Sequence, residues 1–240
     1  GRNNVKMEFD RPEAKRRARA AMRGAYPHPM LVSLIYILVT TVLTNVIMYF
    51  VSDPFSMAYA YLLEGRYDPM LVMQTVFTPQ RTGLYILLQI VLSLYLCVMN
   101  FGYYSYGLRL ARWEQPGYRN LLDGFALVWR VILQSILIAL FTTLWGLLAM
   151  VPAIAVLIAA TITQNLGLLS LGLGLMLVAV VVEIAVSYRY RLAVYFLLDN
   201  PGMGALESVS RSKRAMKGWK WDMFVLDLSF LGWAILSVFT

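Results

Sequence analysis

One stretch limits this chain more than any other: between Val131 and Val186 there is a single charged residue, Glu183. A surface helix of a soluble protein needs a polar face, and this stretch offers none. It far exceeds the ~20 residues that cross a hydrocarbon core, so it must hold more than one span. Two long spans or three short ones would both fit. The Lys and Arg positions decide between them, because cytoplasmic loops carry an excess of both. With two spans, the N-terminal group (Arg11, Lys15, Arg16, Arg17, Arg19, Arg23) lies on one side. Arg109, Arg112, Arg119 and Arg130 share that side, as do Arg211, Lys213, Arg214, Lys217 and Lys220. The other side keeps Arg66 and Arg81. Three spans would carry the last basic group across. Two are expected, with a turn at Thr163-Gln164-Asn165 and a kink at Pro152.

The remaining apolar runs complete an all-α, polytopic membrane helix bundle. Five spans are expected, at about 30–51, 83–108, 130–161, 166–198 and 222–240. A basic cytoplasmic segment, 1–29, precedes the transmembrane domain, 30–240, and a second basic cytoplasmic helix covers 203–218. Residues 52–82, with Pro54, Pro69 and Pro79, read as an ordered outer loop or short helices. Charged residues are 14% of the chain, against about 25% in soluble domains. The net charge of +8 does not point to nucleic acid, since the cations lie between apolar runs. Cys97 is the sole cysteine, which excludes an internal disulfide or a cysteine metal site. His28, the sole histidine, sits between two prolines and reads as a loop residue. No cofactor and no metal site is expected, and no signal peptide is visible.

Two basic segments resemble each other. Asp10 is an expected N-cap with Glu13 as capping-box partner, opening a helix over Pro12–Arg23. From Glu13, the order Glu, Arg17, Ala21, Met22, Gly24 returns as Glu207, Arg211, Ala215, Met216, Gly218, with Arg/Lys exchanges between. Each segment runs into an apolar span. The unit reads as a cytoplasmic amphipathic helix plus a hairpin, repeated along the chain. On this reading the last copy lacks a span, and the natural protein is expected to continue past Thr240 into a sixth.

Three stretches carry a family resemblance: Lys15 to Gly24; Gly107-Leu108-Arg109-Leu110-Ala111-Arg112-Trp113-Glu114 with Leu121-Leu122-Asp123-Gly124-Phe125; and Tyr195 to Pro201, Ala205 to Ser208, Met216 to Trp221 and Leu226 to Trp233. They resemble an uncharacterised family of bacterial integral membrane proteins, domain of unknown function 975. The resemblance implies the topology and a bacterial cytoplasmic membrane, and brings no activity with it. Relative to that family, Ala153 to Val182 reads as an enlargement.

Candidate functional residues follow from position. Arg16, Arg19, Arg23, Arg211, Arg214 and Lys217 are placed to meet anionic headgroups, at roughly 1 kcal/mol per cation. Trp219 and Trp221 read as interface anchors, and Tyr103, Tyr104 and Tyr106 as a second belt. Glu183 and Asp227 are intramembrane acids, expected to face protein or a shared polar cavity, with Arg189, Arg191 or Arg130 as partners. Asn45, Gln89, Asn100 and Gln134 are expected to bond between helices. No catalytic constellation is visible. The expected role is therefore non-enzymatic: binding lipid surfaces, or organising a membrane protein partner or a second copy, through the basic helices. The alternative is a small transporter using Glu183 and Asp227; a lipid-headgroup enzyme ranks below both.

Overall fold

The computed structural model describes residues 10–66 and 68–239. Residues 1–9 of the expected basic segment, Tyr67 in the expected outer loop, and Thr240 lie outside the described residues. The described chain is helical, with no strand. The helices are α1 (Arg11–Arg23), α2 (Pro29–Tyr49), α3 (Pro54–Leu63), α4 (Pro69–Thr75) and α5 (Pro79–Ala111). A 3-10 segment, Tyr118–Leu127, leads into α6 (Val128–Thr163). Then come α7 (Leu166–Arg189), α8 (Ala193–Asp199), α9 (Ala205–Ala215) and α10 (Lys220–Phe239).

Four of these helices begin with the same local device. Pro29, Pro54, Pro69 and Pro79 occupy a first helical position, where a fixed φ suits the helix and the missing N–H is not needed. The residue before each proline supplies the cap. Met30 N donates to His28 Nδ1 at 3.3 Å, Phe55 N to Asp53 Oδ1 at 2.9 Å, Met70 N to Asp68 Oδ1 at 2.9 Å, and Arg81 N to Thr78 Oγ1 at 3.4 Å. The prolines of the expected outer segment thus start two short helices instead of an open loop. His28 does leave the chain in a turn, as expected, and caps α2 besides.

The long apolar stretch folds as two helices, α6 and α7. Gln164 turns the chain with φ of 50°, and Asn165 caps α7 by accepting from Gly167 N at 2.8 Å. The predicted turn is therefore in place. Pro152 stands inside α6, which continues through it. The helix expected over 166–198 is interrupted, with α7 ending at Arg189 and α8 resuming at Ala193.

The chain forms two compact units, one of residues up to 19 with 129 onward, the other of residues 20–128. In the second unit, Val32, Met99, Tyr106 and Leu121 form the buried core. Here α2 and α5 are laced by Tyr103 stacking on Tyr36 with centroids 4.3 Å apart, and by Ser33 bonding Tyr103 at 2.9 Å. The 3-10 segment lies on α5 backbone to backbone. A Cβ on Gly102 would fall 1.9 Å from the Leu121 carbonyl oxygen, and one on Gly124 would fall 2.3 Å from that of Val98. A π turn at Leu38–Val42 interrupts α2. Beside it Tyr95 donates its hydroxyl to Val39 O and Thr40 donates to Tyr36 O, so side chains add hydrogen bonds to main-chain carbonyls at the irregular turn. In the first unit the core is Val186, Tyr190, Ala193 and Val209, with Leu137, Ile138, Phe141 and Val182 against it.

Several expectations are corrected by these contacts. Tyr103 and Tyr106 belong to the core and not to an interface belt; Tyr106 is 3% exposed. Asn45 and Gln89 do not bridge helices among the described residues. Asn45 donates to Thr41 O and Gln89 to the Tyr85 hydroxyl, because an amide side chain readily reaches one turn back along its own helix. Asn100 and Gln134 do bridge: Tyr36 donates to Asn100 Oδ1, and Gln134 reaches Ala193 and Ser208. Asp10 caps α1, accepting from Glu13 N at 3.1 Å. The Glu13 carboxylate, though, is taken by Arg16 and Arg17, not by the cap backbone.

Candidate functional site

The site is assembled where α9 is fastened to the ends of α6, α7 and α8. Its sequence places Ala205, Ser208, Val209 and Ser212 on one side, and all four are buried. The two serines do the fastening. Gln134 Nε2, on α6, donates to Ser208 Oγ at 2.7 Å and to Ala193 O at 2.8 Å. Ser212 Oγ accepts from Leu192 N at 3.1 Å and donates to Arg189 O at 2.9 Å. The break between α7 and α8 leaves backbone groups without helical partners, and Ser212 satisfies one donor and one acceptor of that break. Met216, 1% exposed, closes the end of α9.

With that side locked, the cations of α9 and of the turn that follows it are held outward. Arg211, Lys213, Arg214 and Lys217 are all exposed. Glu207 takes Arg211 at 2.8 Å; Lys213, Arg214 and Lys217 have no carboxylate partner among the described residues. On α1, Arg16, Arg19 and Arg23 are exposed too. Glu13 pairs with Arg16 at 2.5 Å and Arg17 at 2.8 Å. The Arg17 hydrogen bond, ahead of the charges beside it, holds the Glu13 carboxyl below its ordinary range. Arg19 and Arg23 are left without a carboxylate among the described residues. Both helices therefore carry a Glu–Arg pair of the same spacing, followed by cations not matched by acids. Trp219 is 37% exposed and Trp221 69% exposed just beyond α9.

Glu183 and Asp227 have different surroundings. Asp227 is half-buried on α10. Arg191 grips it through two nitrogens, one of them at 2.9 Å from Oδ1, and Tyr188 donates to the same carboxylate. A forked arginine–carboxylate pair of this kind fixes geometry as well as charge. Glu183 lies over Gly146 of α6; a Cβ there would stand 3.5 Å from its carboxyl carbon. It has no hydrogen bond or ion pair among the described residues. No group of three or more His, Cys, Asp or Glu that could hold a metal occurs among the described residues.

The sequence reading missed the two serines, and it missed Asp123. Asp123 accepts from Ser105 at 2.5 Å and from Asn120 at 3.1 Å, and lies 3.6 Å from Arg109. The segments around Arg109 and Asp123 that carried the family resemblance are thus two halves of one polar cluster. The signal available was a lone acid between Leu122 and Gly124; its partners lie as far as eighteen residues away.

Among the described residues, four helical stretches are long and apolar enough to cross a membrane: Pro29–Tyr49, Pro79–Ala111, Tyr118–Thr163 and Leu166–Asp199. Between 17% and 22% of their most apolar windows is buried within the chain, so most of that surface needs an apolar surrounding. The helix expected as a fifth span, α10, is not among the four. This is the build of a polytopic membrane protein. The chain belongs to the family described as "Protein of unknown function (DUF975)", whose model matches residues 7–240. No curated protein and no solved structure matches it.

Proposed function

We propose that this is a non-enzymatic protein of the bacterial cytoplasmic membrane, its N terminus cytoplasmic, that binds anionic lipid surfaces through α1 and α9. The observation that carries the reading is the build of α9. One side is locked by buried hydrogen bonds while Lys213 and Arg214, with Lys217 in the turn just after the helix, stand exposed and unmatched by acids. A helix fixed in this way presents its cations without a further cost of ordering its backbone, and each contributes about 1 kcal/mol near an anionic leaflet. The order of residue types shared by α1 and α9 supports a duplicated unit doing the same work twice. Asp227, engaged by both Arg191 and Tyr188, supports a structural acid over a transport relay.

The test is lipid retention by the purified protein. Native mass spectrometry in mild detergent should show phosphatidylglycerol retained in preference to phosphatidylcholine, with the preference falling as salt rises. The variant R211Q/R214Q/K217Q should lose the part that α9 contributes, and adding R16Q/R19Q/R23Q should remove most of the rest. Equal retention of both lipids by the wild type would overturn the proposal.

A further inference from the structure

A groove of about 210 Å³ opens between α6, α7 and α9. Phe141 and Trp145 come from α6, Arg189 and Tyr190 from the end of α7. Leu206, Val209, Ser210 and Lys213 form one stripe of α9 at the helical spacing of three and four. The volume is below the ~300 Å³ at which ordinary small-molecule sites begin, so it suits one polar headgroup better than a whole metabolite.

The lining divides by chemistry. Arg189 and Lys213 are cations, Ser210 and Tyr190 carry hydroxyls, and the rest is apolar. No acid lines the groove. Arg189 lies over the Trp145 ring, 5.6 Å from its centroid, which orients the guanidinium while leaving its donors unspent. It has no carboxylate partner among the described residues, and neither does Lys213. Lys220, just before the expected last span, adds to the positive charge. Its amine is held below the usual value, by burial first and by the Arg189 charge second. Like charges gathered without an acid call for an anion.

Position selects the anion. α7 has 24 residues, or ~36 Å at about 1.5 Å per residue, a little more than the ~30 Å hydrocarbon core. Arg189 ends that helix, so it falls at headgroup depth when α7 spans. Trp145, 43% exposed, and Leu148, 64% exposed, continue from the groove along the apolar surface of α6.

From this we infer that the groove seats the phosphate of one anionic phospholipid. Arg189 and Lys213 are its cationic ligands and Ser210 is a hydroxyl donor, while the acyl chains lie over Trp145 and Leu148. The inference deepens the surface-binding reading and rests on it. The difference is one stoichiometric site against a diffuse attraction.

The two are separable in one experiment. Purified full-length chain is titrated with phosphatidylglycerol, and bound lipid is counted by native mass spectrometry at rising salt. One lipid should survive salt that strips the rest. K213Q and R189Q should each weaken that lipid by about tenfold, the loss expected for one charge-assisted hydrogen bond, and R189K should recover part of it. The Lys213 side chain is exposed, so K213Q reads the site without disturbing the core. R211Q/R214Q/K217Q should lose part of the salt-labile lipids and keep the one. If K213Q and R189Q both retain it unchanged, the groove assignment is overturned and the surface reading stands. If the triple variant keeps all of its salt-labile lipids, the surface reading is overturned instead. If soluble glycerol phosphate displaces the tight lipid at similar concentration, the ligand is a free phosphoester and the lipid assignment is overturned.

Discussion

The helices α1 and α9 carry nearly the same order of charges and are held in place by opposite means. Laid over one another from Glu13 and Glu207, Ala14 meets Ser208, Ala18 meets Ser212 and Met22 meets Met216. In α9 those three positions are buried: Ser208 and Ser212 are 0% exposed and Met216 is 1% exposed. In α1 the matching Met22 is 41% exposed, and Ala21 is the buried residue of that helix. The first half of α1 is held by charge instead. Arg11 meets Asp222 at 3.3 Å, and the Lys15 amine lies 4.7 Å from the Phe230 ring centroid. Two helices with nearly the same order of arginines are thus held differently, and the small residues between the arginines decide how firmly.

The methionines break this comparison most sharply. Met216→Ala should cost about 2–5 kcal/mol, as for large-to-small changes in a core. Met22→Ala should stay within about 0.5 kcal/mol, as for a surface change. Thermal unfolding of the two variants in detergent would show it, and equal shifts would end the distinction.

Ser212→Ala comes next. It removes the partner of Leu192 N and Arg189 O at the α7–α8 break, with a cost of about 1–3 kcal/mol for groups left unsatisfied. Hydrogen exchange at Leu192 should speed up, while Ala18→Ser on α1 should change neither exchange nor stability.

The smallest effect concerns Glu13. Its carboxyl is held below the ordinary value when folded, chiefly by the Arg17 hydrogen bond. Its contribution is therefore present above the unfolded carboxyl pKa and fades as pH falls through the lower folded value. Helicity at α1 should drop slightly on acidification in the wild type and not in Glu13→Gln, as followed by amide chemical shifts. Because Glu13 is partly exposed and its arginine partners are exposed, salt should shrink the difference.

Much of the fold was legible because it depends on local order. Apolar runs set the helices, and Gln164-Asn165 marked the hairpin between α6 and α7. What was not legible depends on partners distant in sequence. Gln134 reads as an intramembrane amide, but its acceptors are on Ala193 and Ser208, and nothing near it announces them. Tyr106 looks like an interface tyrosine from its place near a helix end; only the fold shows it buried. The candidate cations were legible as a set, since charge on a helix before a span is a local pattern. The groove that gathers Arg189, Ser210 and Lys213 was not, because it draws on three helices at once.

Where the 3-10 segment rests on α5, Gly102 meets the Leu121 carbonyl and Gly124 meets that of Val98. Two points of main-chain approach fix a line, so the segment is aligned along α5 by peptide units and not by rotamers. A methyl group at either glycine collides with an atom that has no torsion to turn aside. Substitution at either position therefore has little freedom. A neighbouring side chain cannot compensate, and only a change that lifts the whole 3-10 segment from α5 would admit any residue but glycine.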